Sequence, residues 1–109
     1  MIEFSIPSVP TPLNVLLRKH WSVRSREASK WRYLVLAHAP KQRAPIQNAV
    51  VTLTFVMPRG DADGRAKLPL DGLVSAGIIV DDGPKHLVEL RLRAERGKPA
   101  QTRVRVEKA

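Results

Sequence analysis

The clearest periodicity along the chain lies at Asn48–Met57, where Val51, Leu53, Phe55 and Met57 alternate with Val50, Thr52, Thr54 and Val56. β-branched residues dominate the stretch and Pro58 closes it, which predicts a strong strand. A shorter strand is expected at Glu3–Pro7, stopped by Pro7-Ser8-Val9-Pro10-Thr11-Pro12, whose three prolines propagate neither a ladder nor a helix. From Leu13-Asn14 to Ser25 the pattern lapses into an irregular basic loop (Arg18, Lys19, His20, Trp21, Arg24). Trp21 is expected to anchor that loop in the core, with stacking on a nucleic-acid base as the alternative.

Helical spacing begins at Ser25, an N-cap residue followed by Glu27 in the first turn. Ala28, Trp31, Leu34, Val35 and Ala39 form the apolar stripe, Lys30, Arg32 and His38 lie on the other face, and Pro40 stops the run. The isolated His38 is assigned no role. A second helix is expected from Ala66 to Ala76, with Leu70, Leu73 and Val74 inward, Gly77 as the terminator and Pro69 tolerable only in the first turn. Ile78-Ile79-Val80 reads as a short buried extended segment leading to the turn Asp82-Gly83-Pro84. Leu87–Ala94 (Val88, Leu90, Leu92 inward) and Thr102–Glu107 (Thr102, Val104, Val106 inward) read as a hairpin around Glu95–Ala100. The order β-α-β-α-β-β predicts a single α+β domain with a small mixed sheet and two helices.

Composition narrows the function classes. With 109 residues the chain makes one domain with a modest core, which oligomerisation would reinforce. It has no cysteine for a disulfide or thiolate metal site, no apolar run of the roughly 20 residues a membrane span needs, and no signal-peptide pattern at Met1–Ser5, so a cytoplasmic protein is expected. Its 19 Lys+Arg against 10 Asp+Glu give a formal charge of +9, which points to a polyanion, nucleic acid first and an acidic membrane surface second. Residues 1–59 carry Arg18, Lys19, Arg24, Arg26, Lys30, Arg32, Lys41, Arg43 and Arg59 against only Glu3 and Glu27. Of these, Arg18, Lys19, Arg24, Lys30 and Arg32, joined by Arg65 and Lys85, are the candidate DNA-phosphate contacts.

Against this basic background five of the ten carboxylates fall between positions 61 and 82. Crowded acids repel one another and destabilise a fold unless a cation sits between them. Asp61 and Asp63 follow a strand end one residue apart, so extended geometry would point both the same way, and Asp82 follows a helix that could return the chain to their neighbourhood. Carboxylates without cysteines or a histidine pair suit a hard cation such as Mg²⁺ and not zinc. Asp-Gly steps are also ordinary turn formers, and Lys67 reads equally as an i,i+4 ion pair with Asp71 or as a charge aimed at a phosphate.

The segment Asp61-Ala62-Asp63, Lys67, Asp71-Gly72-Leu73, Ala76-Gly77, Asp81-Asp82 resembles the RusA family of Holliday-junction resolvases, structure-selective endodeoxyribonucleases often carried by prophages. The likeness spans about 30 residues and extends more loosely to the N-terminal strand, proline segment, Leu13-Asn14 and basic loop. Gly64 stands where the family often has asparagine, and fewer cations precede Asp61. The resemblance implies a homodimeric, Mg²⁺-dependent nuclease (Mn²⁺ substituting) acting on four-way DNA junctions and leaving 5′-phosphate ends. In it Asp61, Asp63 and Asp82 bind metal, with Asp81 the alternative to Asp82, and Lys67 assists catalysis. The competing expectations are a non-catalytic basic nucleic-acid-binding module and an inactivated prophage copy.

Overall fold

The computed structural model describes residues 1–109. Strand β1 (Ile2–Ile6) is followed by a single helical turn, α1 (Leu13–Leu16), and a long helix, α2 (Trp21–His38). Strand β2 (Ala49–Met57), helix α3 (Lys67–Ser75), β3 (Leu87–Arg96) and β4 (Gln101–Lys108) complete the chain. The strands form one mixed sheet in the order β1-β4-β2-β3, with β4 antiparallel to both its neighbours and β3 parallel to β2. This is the expected single α+β domain, with one helix more than predicted. No helix is long and apolar enough to cross a membrane.

Hydrophobicity explains the strand order. β2 is apolar on the face of Val51, Leu53, Phe55 and Met57, carries only valines and threonines on the other, and is buried or half-buried throughout, as suits an interior strand. The expected β3–β4 hairpin does not form, because β2 lies between the two. Residues 97–100 cross the end of β2, where the Gly97 N–H donates to the Met57 carbonyl at 3.3 Å. Alternation assigned faces correctly in β4, where Thr102, Val104 and Val106 are buried. In β3 the faces also follow the pattern, Leu90 and Leu92 standing beside Val51 and Leu53 of the core-facing side, but burial is poor: Leu90 is half-buried and Val88 and Leu92 are 55% and 38% exposed.

One face of the sheet carries the helices. Trp31 and Val35 of α2, Leu70 and Leu73 of α3, Val51, Leu53 and Phe55 of β2, and Val104 and Val106 of β4 belong to one core cluster. α3 lies close against α2 at Gly72, where a Cβ would come 2.6 Å from Val35 Cγ2 and 3.1 Å from the Trp31 carbonyl oxygen. α3 ends as predicted at Gly77, whose φ of +73° lets Ile78 N–H reach the Leu73 carbonyl (2.9 Å) and Gly77 N–H the Val74 carbonyl (3.1 Å), a Schellman termination. Pro69 is the third helical residue, within the first turn, where no intrahelical donor is missed.

The N-terminal half departs from expectation at the basic loop. Much of it is helical, since α2 starts at Trp21 instead of after Ser25. His20 is the N-cap, its Nδ1 accepting from the Ser22 N–H at 3.2 Å, a capping role outside the usual Ser, Thr, Asp and Asn set. Trp21 does not anchor anything in the core. It is 66% exposed and its ring lies beside His20, with centroids 5.5 Å apart.

Candidate functional site

Asp61 and Asp63 lie in the loop that leaves the C-terminal end of β2. The loop is a turn and not extended chain, with the Arg65 N–H donating to the Ala62 carbonyl at 3.3 Å. Both aspartates nevertheless line one groove, together with Gly64 and with Pro12, Leu13, Asn14, Val15 and Leu17 of the α1 segment. Four hydrogen bonds hold that wall and its loop in place. The Leu13 N–H donates to the Gly64 carbonyl at 2.8 Å. The Arg65 guanidinium donates from Nε to the Asp61 carbonyl (2.7 Å) and from Nη1 to the Pro10 carbonyl (2.8 Å). Arg96 Nη1 donates to the Gly60 carbonyl at 2.7 Å, tying the loop to the end of β3.

Asp81 and Asp82 are elsewhere. α3 carries the chain back past β2, Ile79 bridges to Ile46, and the Ala49 N–H donates to the His86 carbonyl at 2.7 Å, so this pair sits at the N-terminal end of β2. At ~3.3 Å per residue, the strand between the two acidic groups is about 26 Å long. They do not meet within one chain, and no group of three His, Cys, Asp or Glu side chains is placed to hold an ion. The reason is topological: a parallel β2-α3-β3 unit begins both strands at the same end, so residues just before β3 and residues just after β2 lie at opposite ends of the sheet. Asp81 shapes its own turn, its Oδ1 accepting the Asp82 N–H at 2.8 Å. Lys67 Nζ pairs with Asp71 Oδ1 at 3.2 Å on an exposed face, the i,i+4 arrangement expected of a surface pair.

The groove's donors are two carboxylates and the Asn14 side chain. All offer oxygen, which fits a hard divalent cation held by one or two carboxylates and otherwise by water. A three-carboxylate cage is not formed within a single chain.

The cations divide into two populations. On the open face of the sheet Arg91 pairs with Glu89, Arg103 with Glu95, and Arg105 with Glu107 (3.2 Å) and Glu3 (3.7 Å). The hydrogen bond and charge of Glu89 raise the Arg91 pKa further. None of the cations between Arg18 and Arg59 takes part in an ion pair. Arg18 and Lys19 are exposed in the turn between α1 and α2, Lys30 and Arg32 are exposed on α2, and Lys85 is exposed before β3. Arg24 is half-buried, with its Nε enclosed and unpartnered. Arg65 is half-buried and occupied with backbone carbonyls. Asn14 lies in the Leu13-Asn14 step to which the resemblance loosely extends but was assigned no role, and Arg96 carries no sequence signal beyond its residue type; the fold brings both to the loop.

No family model matches the chain, and no curated protein matches it. The fold and the groove define a basic α+β domain with a paired-carboxylate cleft beside an unneutralised cationic helical surface.

Proposed function

We propose that the chain is a Mg²⁺-dependent, structure-selective endodeoxyribonuclease that resolves four-way DNA junctions as a homodimer in the cytoplasm, nicking to leave 5′-phosphate ends. The observation that carries this reading is the groove shared by Asp61, Asp63 and α1. The far end of α1 leads directly into the unpaired Arg18 and Lys19, so a backbone held by those cations would run past the carboxylates. The resemblance of Asp61–Asp82 to the RusA family supports the same chemistry. Asp61 and Asp63 would hold the ion, and Mg²⁺ or Mn²⁺ so bound neutralises charge on a scissile phosphate and activates a water. Arg18, Lys19, Lys30 and Arg32 hold DNA through its phosphates, Arg65 fixes the groove wall, and Lys67, paired with Asp71 in the free protein, would exchange that partner for a phosphate.

The test is incubation of purified protein with a labelled synthetic four-way junction and a matched linear duplex, with Mg²⁺ or with EDTA. Symmetric, ligatable nicks in the junction alone, and only with metal, are expected. The Lys67–Asp71 pair favours a second reading, a non-catalytic nucleic-acid-binding module whose acids only shape turns. Tight junction binding without cutting at any Mg²⁺ or Mn²⁺ concentration would replace the nuclease reading with that one.

A further inference from the structure

Two exposed apolar side chains stand on either side of the cationic turn that follows the groove. Leu17, which lines the groove, is 59% exposed, and Trp21, the first residue of α2, is 66% exposed. Between them lie Arg18 and Lys19, and Arg24 follows Trp21 by one helical turn; none of these cations is paired with an acid. An aromatic ring set among free cations is the pattern by which proteins hold a nucleic-acid strand, the cations on phosphates and the ring on a base. We propose that Trp21 is a stacking site for an unpaired nucleobase at the branch point of a DNA junction, and that this contact, not the cationic surface, separates a junction from a linear duplex. The proposal rests on the reading above for its substrate, while the binding it describes needs no cleavage.

The indole is presented to solvent and steadied there. It lies outside the core cluster, so no packing role accounts for its size. Its neighbour His20 is fixed as the N-cap, with Nδ1 accepting the Ser22 N–H at 3.2 Å and lying 2.8 Å from Ser22 Oγ. The imidazole and indole centroids are 5.5 Å apart with the rings tilted by 37°, within the range of attractive aromatic pairs. A base laid on the open side of the indole would extend this pair. Tryptophan has only two side-chain torsions to immobilise, so ordering it on a base costs little entropy.

Selectivity follows from what each contact can reach. The phosphates of a junction arm and of a linear duplex are chemically alike, so Arg18, Lys19, Lys30 and Arg32 grip both. A base face is free only where stacking is interrupted. Taking a base out of an intact duplex is costly, and least so where it is already unpaired, as at the point where the arms of a junction part. Every base has a π-face, so the contact carries no sequence preference of its own. Trp21 lies four residues beyond Leu17, at most about 14 Å of chain, which is the rise of about four nucleotides. A strand whose branch-point base stacks on Trp21 can therefore bring a phosphate only a few nucleotides away to Asp61 and Asp63.

The test is made in EDTA, so that binding is read without cleavage. Fluorescence anisotropy compares a labelled four-way junction with a linear duplex for the wild type, Trp21→Ala, Trp21→Phe and Trp21→Leu. Trp21→Ala is expected to weaken junction binding roughly five- to 150-fold, the range for a lost base–aromatic stack, and to leave duplex binding unchanged. Trp21→Phe is expected to keep most of the preference and Trp21→Leu to lose it. The other tryptophan, Trp31, is fully buried, so acrylamide quenching reports Trp21, and saturation with junction, not with duplex, is expected to shield it. The proposal is overturned by a wild type without preference for the junction, by a Trp21→Ala protein that binds the junction normally or loses junction and duplex equally, or by quenching that the junction leaves unchanged. Loss of self-association by Trp21→Ala in light scattering, with DNA affinity intact, would give this surface to a second copy and overturn it too. The expected selectivity in a protein that never nicks with Mg²⁺ would uphold the stacking site and defeat the nuclease reading alone; junction nicking by a Trp21→Ala protein of unchanged affinity would do the reverse.

Discussion

Arg65 illustrates how a residue's type and its use diverge. By type it is a candidate phosphate contact, yet its Nε and Nη1 are engaged by the Asp61 and Pro10 carbonyls, a fork that lysine cannot reproduce. Arg65→Ala should therefore destabilise the protein by about 2 kcal/mol in denaturant unfolding, from two charge-assisted bonds lost at a half-buried position, and Arg65→Lys should not restore it. If Arg65 served only DNA, the melting behaviour of both variants would match the wild type. For the groove, Asp61→Asn and Asp63→Asn should each abolish nicking while leaving junction affinity unchanged or tighter, since a negative charge facing phosphate is removed. Gel-shift and cleavage assays on one labelled junction read both effects, and full cleavage by Asp61→Asn would defeat the assignment. Lys67→Ala should change stability by only a few tenths of a kcal/mol, its exposed pair with Asp71 being screened.

Among the elements, the α2–α3 contact depends on a missing side chain. Gly72→Ala would gain up to about 1 kcal/mol of helix propensity, but its Cβ would meet Val35 and the Trp31 carbonyl at 2.6 and 3.1 Å. Overpacking against backbone costs about 1–3 kcal/mol, so net destabilisation is expected in urea unfolding; a variant as stable as the wild type would show that the helices can part without loss. Such elements were legible to differing degrees. β2, α3 and the β4 faces followed from local pattern because each is decided by its own residues: unbroken apolar β-branched sequence, Gly77 as terminator, strict alternation. The start of α2 was not, because it is capped by a histidine, outside the usual Ser, Thr, Asp and Asn set, while Ser25 inside the helix looks like a cap. The pairing of β3 was not, because alternation gives a strand its faces and says nothing of its neighbours. That error also hid the true separation of Asp82 from Asp61 and Asp63, since only the parallel placement of β3 beside β2 sends the two acidic ends apart. The position of Asp61 and Asp63 past the end of β2 was legible, whereas the contribution of Arg96, and the place of Asn14 beside the two aspartates, arise only in three dimensions.

For the molecule as a whole, net charge is a poor guide to where a polyanion would bind. The chain's +9 is distributed so that the arginines of the open sheet face are largely matched by Glu3, Glu89, Glu95 and Glu107, while those of α2 and the turn before it are unmatched. Counterions released on DNA binding come from phosphates neutralised by free cations, and each such contact contributes about 0.9 to the slope of log affinity against log salt. An arginine already held by a glutamate contributes little, because binding would have to break one ion pair to make another. A Lys30→Ala, Arg32→Ala double variant should therefore lower the slope by about 1.8 and weaken junction and duplex alike, whereas Arg103→Ala on the sheet face should leave the slope unchanged. Fluorescence anisotropy across a salt series measures both. The reverse pattern, with Arg103 steep and the helix variant silent, would move the DNA from the helical surface to the sheet, away from the groove that holds Asp61 and Asp63.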